Sequence, residues 1–186
     1  DQPFAAKYPG LLTSGIDSQR NYIYRSIVAD CLRVMDYLVS CDDVDSQKIS
    51  LVGGDLALFT AALRDSASVL FYTPSLFYKA LHKATATQNY PLEEFNDYLR
   101  SFPESIDQIS QTLAYFEPMN FASQVESEVM LMEESEGDAN DLAVSFAREI
   151  ERSDSKHSSF RDGVVLAEWL SKKLHTGETL VPMHWR

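Results

Sequence analysis

Cysteine, positive charge and long apolar runs are all scarce in this sequence. There are only two cysteines, Cys31 and Cys41, among 186 residues. A single such pair is neither a disulfide framework nor a zinc-ligand spacing. No apolar run approaches the roughly 20 residues needed to span a bilayer, and no signal-peptide pattern is visible. Lys and Arg number 16 against 28 Asp and Glu, a net charge of −12. An acidic surface repels phosphate backbones and anionic lipids, which argues against nucleic-acid and membrane partners. Of the histidines, His82, His175 and His184 show no metal-ligand pairing with Asp, Glu or Cys, so no metal and no cofactor is expected. There is no internal repeat and no low-complexity tract.

What is present suits a globular α/β domain. Apolar residues make up 45% of the chain, enough for one domain over 1–186. The first residue is Asp1 rather than Met, which reads as a processed product or a piece of something longer. Residues 1–16 read as an extended lead-in. Helical spacing of apolar residues predicts a helix from Asn21 to Leu38, with Asp17 and Ser18 available as caps. Cys31 falls on its apolar face, predicting a buried thiol. Such a thiol favours a reducing, cytoplasm-like compartment without fixing one.

The segment KISLVGGDLALFTAAL, Lys48 to Leu63, reads as a strand over Lys48–Val52, a Gly-Gly turn and a helix. ASVLFYT, Ala67 to Thr73, and EVMLM, Glu128 to Met132, read as two further strands. The aromatic-rich segment 75–125 reads as two or three short helices inserted over the C-terminal edge of the sheet. Asp141 to Glu151 is expected to be a helix, and Phe160 to Leu174 is an amphipathic one. The tail 175–186 reads as irregular. Strands alternating with helices predict a parallel sheet of about three to four strands. So few strands leave an open edge at Lys48–Val52, so an upstream segment or another chain is expected to complete the sheet.

The order of segments resembles the acetyl xylan esterase and cephalosporin-C deacetylase family of α/β-hydrolases. GIDSQRNYIYRSIVADCLRVMD matches its pattern through Gly15, Ile16, Asp17, Tyr22, Tyr24, Arg25, Asp30, Arg33 and Asp36. VDSQKISLVGGD matches through Val44, Asp45, Ile49, Gly53 and Gly54, and TLAYFEPMNFA echoes a third motif from Thr112 to Ala122. The resemblance implies a partial α/β-hydrolase-like sheet flanked by helices. It also implies a carboxylic-ester hydrolase that removes acetyl groups from sugars or cephalosporins with a Ser-His-Asp triad. Acetylated carbohydrate as a ligand, and assembly into rings of subunits, are implied in the same way.

The site departs from that pattern. The nucleophile of such a fold sits on a tight strand-to-helix bend flanked by small residues. The frame Gly53-Gly54-Asp55-Leu56-Ala57 has the small residues but carries Asp55 at the apex, and about four residues of the family motif are deleted. Asp55 is either an unusual nucleophile or, more simply, a cap on the helix after it. Asp138 falls on the family's acid position, within an acidic stretch that includes Glu133 and reads as a solvated loop. That stretch lacks the alternating oxygen ligands of a calcium loop. His157 is the one histidine near the family's histidine position, although the strand that should carry it reads as missing. The catalytic positions are therefore Asp55, Asp138 and His157, as remnants. These residues point to a degenerate esterase-like domain, non-catalytic, with a binding or assembly role. The alternative is a carbohydrate O-deacetylase completed by a partner segment, using Asp138 and His157 with a non-standard nucleophile. Tyr72, Phe77, Tyr78, Tyr90, Phe95, Tyr98, Tyr115 and Phe116 are either core or the lining of a sugar cleft.

Overall fold

The computed structural model describes residues 10–135 and 137–177. The lead-in before residue 10 and the tail from 178, including His184, lie outside the described residues. Four parallel strands form one sheet in the order β1-β2-β3-β4: β1 Ser50–Gly53, β2 Val69–Tyr72, β3 Glu128–Glu133 and β4 Glu151–Asp154. The helices are α1 Ile23–Ser40, α2 Asp55–Leu63, α3 Ala80–Thr85, α4 Glu93–Ser101, α5 Ile106–Ala114, α6 Met119–Ala122, α7 Asn140–Ala143 and α8 Ser159–Lys173.

Alternation along the strands assigns the two faces, because successive side chains point to opposite sides. Val69 and Phe71 of β2 and Met130 and Met132 of β3 meet Trp169, Val165, Leu166 and Leu170 of α8. Leu70 and Tyr72, with Val129 and Leu131, face the other way and pack with Leu58 and Ala61 of α2, Ala122 of α6 and Leu142 of α7. Burial on both faces explains why β2 is apolar throughout and lacks the polar alternation of a one-sided sheet. The helical stretch from α3 to α5 packs outside this layer. Phe77, Phe95 and Ile109 join Tyr24 of α1, Phe59 of α2 and Leu12, Ile16 and Tyr22 of the first turns. The Tyr22 hydroxyl donates to the Leu12 carbonyl at 2.8 Å.

Several expectations are corrected. The expected helix over 141–151 is instead a single turn, α7, followed by turns and then β4, so the strand before His157 is present. β4 escapes hydrophobic pattern reading because ERSD contains no apolar residue. It exists through its pairing with β3, where Met130 is opposite Glu151 and Leu131 opposite Arg152. Neither Asp17 nor Ser18 caps α1. Its N-cap is Tyr22, with no side-chain cap bond, and 10–21 is a series of turns. Cys31 is half-buried, as is Cys41. Tyr72, Phe77, Tyr78, Phe95 and Phe116 are core, whereas Tyr90 and Tyr115 are exposed.

Candidate functional site

In open parallel sheets ligands bind outside the carboxyl ends of the strands. Asp55, Asp138 and His157 all lie at that end, after β1, β3 and β4.

The bend after β1 needs its two glycines for different reasons. Gly53 has φ +146°, in a region that L side chains rarely adopt. Gly54 is needed for space: a Cβ there would overlap the Ser75 side chain, which lies directly against it. Gly54 is the N-cap of α2, and Asp55 is the first helical residue.

Asp55 does not cap α2. Its carboxylate turns toward the loop after β2 and collects four donors. Oδ1 accepts from the Tyr72 hydroxyl at 2.9 Å and the Ser75 N–H at 3.2 Å. Oδ2 accepts from the Ser75 hydroxyl at 3.0 Å and the Phe77 N–H at 2.6 Å. The Asp55 N–H in turn donates to Ser75 Oγ at 3.2 Å. Asp55 is only 2% exposed. Burial and the adjacent Asp55 charge push the Tyr72 hydroxyl well above its ordinary pKa, so it acts as a donor. The carboxylate is therefore a clasp between the β1–α2 bend and the loop leaving β2. A nucleophile needs a free lone pair facing substrate, and both oxygens here face protein donors.

Glu117 lies close by. Its Oε2 accepts the Lys79 N–H at 3.1 Å. Burial raises its pKa, and the Asp55 charge adds to the effect.

Asp138 is exposed on the loop between β3 and α7. That loop is anchored by Glu133, which the sequence reading placed with the solvated acids but which is 3% exposed. Glu133 Oε1 accepts the Ala139 N–H at 2.9 Å, and Oε2 accepts Arg152 Nε at 2.7 Å. Arg152 also donates to Asn140 Oδ1 at 2.7 Å. The signal for this pairing is one of register, with Arg152 beside the end of β3, and it becomes readable once β4 is recognised. Asp141 ion-pairs with Lys79 at 2.5 Å and accepts a short hydrogen bond from the Tyr78 hydroxyl. The Lys79 and Tyr78 bonds hold the Asp141 carboxyl down at about 2. Burial and Asp141 together push Tyr78 up to about 12.

His157 is exposed, at φ +50°, in the loop between β4 and α8. Asp162 shapes that loop by accepting the Lys156 N–H and the Ser155 hydroxyl, each at 2.7 Å. Ser158 caps α8. Among the described residues no hydrogen bond or ion pair joins any two of Asp55, Asp138 and His157.

Two hollows open at this end of the sheet. One, of about 520 Å³, lies over the Glu133, Asn140 and Arg152 network. The other, of about 260 Å³, is a cleft between the ends of β2 and β3, lined by Thr73, Tyr78, His82, Lys83, Glu134 and Asp138 among others. Neither is lined by Asp55 or His157. Among the described residues, no helix is long and apolar enough to cross a membrane.

A parallel sheet clothed by helices, with a strand, Gly-Gly bend and helix opening at its carboxyl end, defines an α/β-hydrolase-type fold. The chain belongs to the acetyl xylan esterase (AXE1) family, whose model matches residues 1–148. It is 33% identical over 123 residues to the acetyl esterase Axe7A of Xylanibacter ruminicola, a match covering 62% of this chain and 26% of that protein. Two solved structures share the fold. The acetyl xylan esterase from Paenibacillus sp. R4 superposes with a TM-score of 0.74 at 23% identity, covering 91% of this chain and 61% of that one. Acetyl xylan esterase 1 from Thermoanaerobacterium sp. JW/SL YS485 gives 0.70 at 19% identity, covering 91% and 59%. The chain thus spans about a quarter of Axe7A and about three-fifths of each solved relative. His157 lies beyond the residues the family model matches.

Proposed function

We propose that this chain is a non-catalytic member of the family, retaining the scaffold and a cleft at the carboxyl end of the sheet for binding. The observation that carries this reading is the Asp55 clasp: at the bend where a hydrolase presents its nucleophile stands a buried carboxylate with four protein donors. A serine hydroxyl is still beside the bend, but it comes from Ser75 and is tied to both the Asp55 backbone and its side chain. Replacing serine by a carboxylate in this setting removes the acyl-forming step, which is worth several orders of magnitude in rate.

The test is hydrolysis of p-nitrophenyl acetate by the wild type, Asp55→Asn and Ser75→Ala, with fluorophosphonate labelling alongside. All three proteins are expected at the buffer background, with no adduct. Turnover that Asp55→Asn or Ser75→Ala abolishes, or a covalent adduct on any residue, overturns the reading. Either result would favour an ester hydrolase that uses His157 after β4.

A further inference from the structure

We propose that the cleft between the ends of β2 and β3 binds a small hydroxylated monocarboxylate, a sugar acid of the uronate class; this rests on reading the chain as a binding domain. The argument begins with Lys83. It is half-buried on α3, with its ammonium 5.0 Å from the centre of the Tyr78 ring. Lys79, 5.1 Å from the centre of the same ring, is neutralised by Asp141. Among the described residues Lys83 is in no ion pair, although the chain has a large excess of carboxylates. A half-buried cation that opens on a cleft without a counterion is a place where an anion gains energy. His82 also lines the cleft.

The acids of the same lining limit what that anion can be. Glu134 and Asp138 also line the cleft, and both are acceptors only when ionised. They repel a dianion such as phosphate, and they reward a ligand that presents hydroxyl donors to them while its single carboxylate reaches Lys83. Thr73 adds a hydroxyl to the lining. The volume of about 260 Å³ is below the roughly 300–1,000 Å³ of drug-sized ligand pockets, so it suits one monosaccharide-sized molecule.

The experiment is a titration of the isotopically labelled chain with sodium glucuronate, glucose and inorganic phosphate, followed by amide chemical shifts. Glucuronate is expected to give saturable shifts at residues 73, 78–83 and 138–139 with a low-millimolar Kd. Glucose and phosphate are expected to bind at least about tenfold more weakly. Lys83→Met should weaken glucuronate by about tenfold or more, and Lys83→Arg should restore it. The proposal is overturned if glucuronate does not saturate by about 50 mM, if phosphate or glucose binds as tightly, or if Lys83→Met binds normally. Should Lys83→Met not fold, Lys83→Gln serves in its place and is judged by the same criterion. Ester turnover is read separately, so a catalytic chain and an empty cleft give distinct outcomes.

Discussion

Four donors converge on the Asp55 carboxylate, and removing it leaves them without an acceptor; two of them, from the buried Tyr72 and Phe77, are then orphaned away from water. An orphaned buried donor costs about 1–3 kcal/mol, so Asp55→Ala should destabilise the chain by about 3 kcal/mol or more in urea unfolding. Ser75→Ala removes one exposed donor and should cost about 1 kcal/mol. Equal effects from the two substitutions would mean that the clasp is not what holds the bend. Glu117 gives a prediction with the opposite sign. Its pKa is raised by burial, so the charged form is a liability in the folded state. The penalty is full above the raised pKa, shrinks as pH falls through it, and vanishes below the ordinary value near 4.5. Glu117→Gln should therefore raise the stability at pH 7, seen as a higher Tm. By pH 4 the two proteins should melt within a degree or so of each other. A gain that persists unchanged at pH 4 would rule out the charge as its cause.

Among the elements, α8 covers one face of β2 and β3. Trp169 meets Phe71 with ring centroids 6.0 Å apart, and Val69, Met130 and Met132 complete the contact. Trp169→Ala should cost about 3–5 kcal/mol, seen as a lower urea midpoint. A loss under about 1 kcal/mol would show that this face is held by something else. The stripe of Leu166, Leu170 and Leu174, beside Val165 and Trp169, makes α8 legible from spacing alone, and the apolar runs do the same for β2 and β3. β4 was hidden for a physical reason. Among the described residues β4 pairs only with β3 and none of its side chains is fully buried, so they need not be apolar and the pattern resembles a loop. The site was partly hidden by the same omission. His157 could be aligned in order, but the strand that brings it to the carboxyl end of the sheet could not be read.

At the scale of the whole molecule, β1 stands at one end of the described sheet. Its only neighbour among the described residues is β2, and Val52, opposite Phe71, is 47% exposed on the face that α8 covers further along the sheet. We propose that a further strand, from elsewhere in the polypeptide or from a partner chain, pairs with β1. In the isolated 186-residue chain, amides of Ser50–Gly53 should exchange with deuterium at least about tenfold faster than those of Val69–Tyr72, whose strand is paired on both sides. Equal protection of the two strands in a monomer would remove the case for a missing neighbour.

The sequence by itself determined the order of elements in the framework and the position of the bend after Val52. Apolar periodicity, paired glycines and strand propensity are local properties, written in adjacent residues. It also determined that Asp55 occupies the bend. Only the tertiary structure decided what Asp55 does there, because its partners Tyr72, Ser75 and Phe77 come from another strand and loop. The same holds for Glu133, which reads as one more acid in a charged loop until Arg152 of β4 is folded against it. A carboxylate's role depends on which donors surround it in space, and that neighbourhood is set by strand register and loop path rather than by flanking sequence.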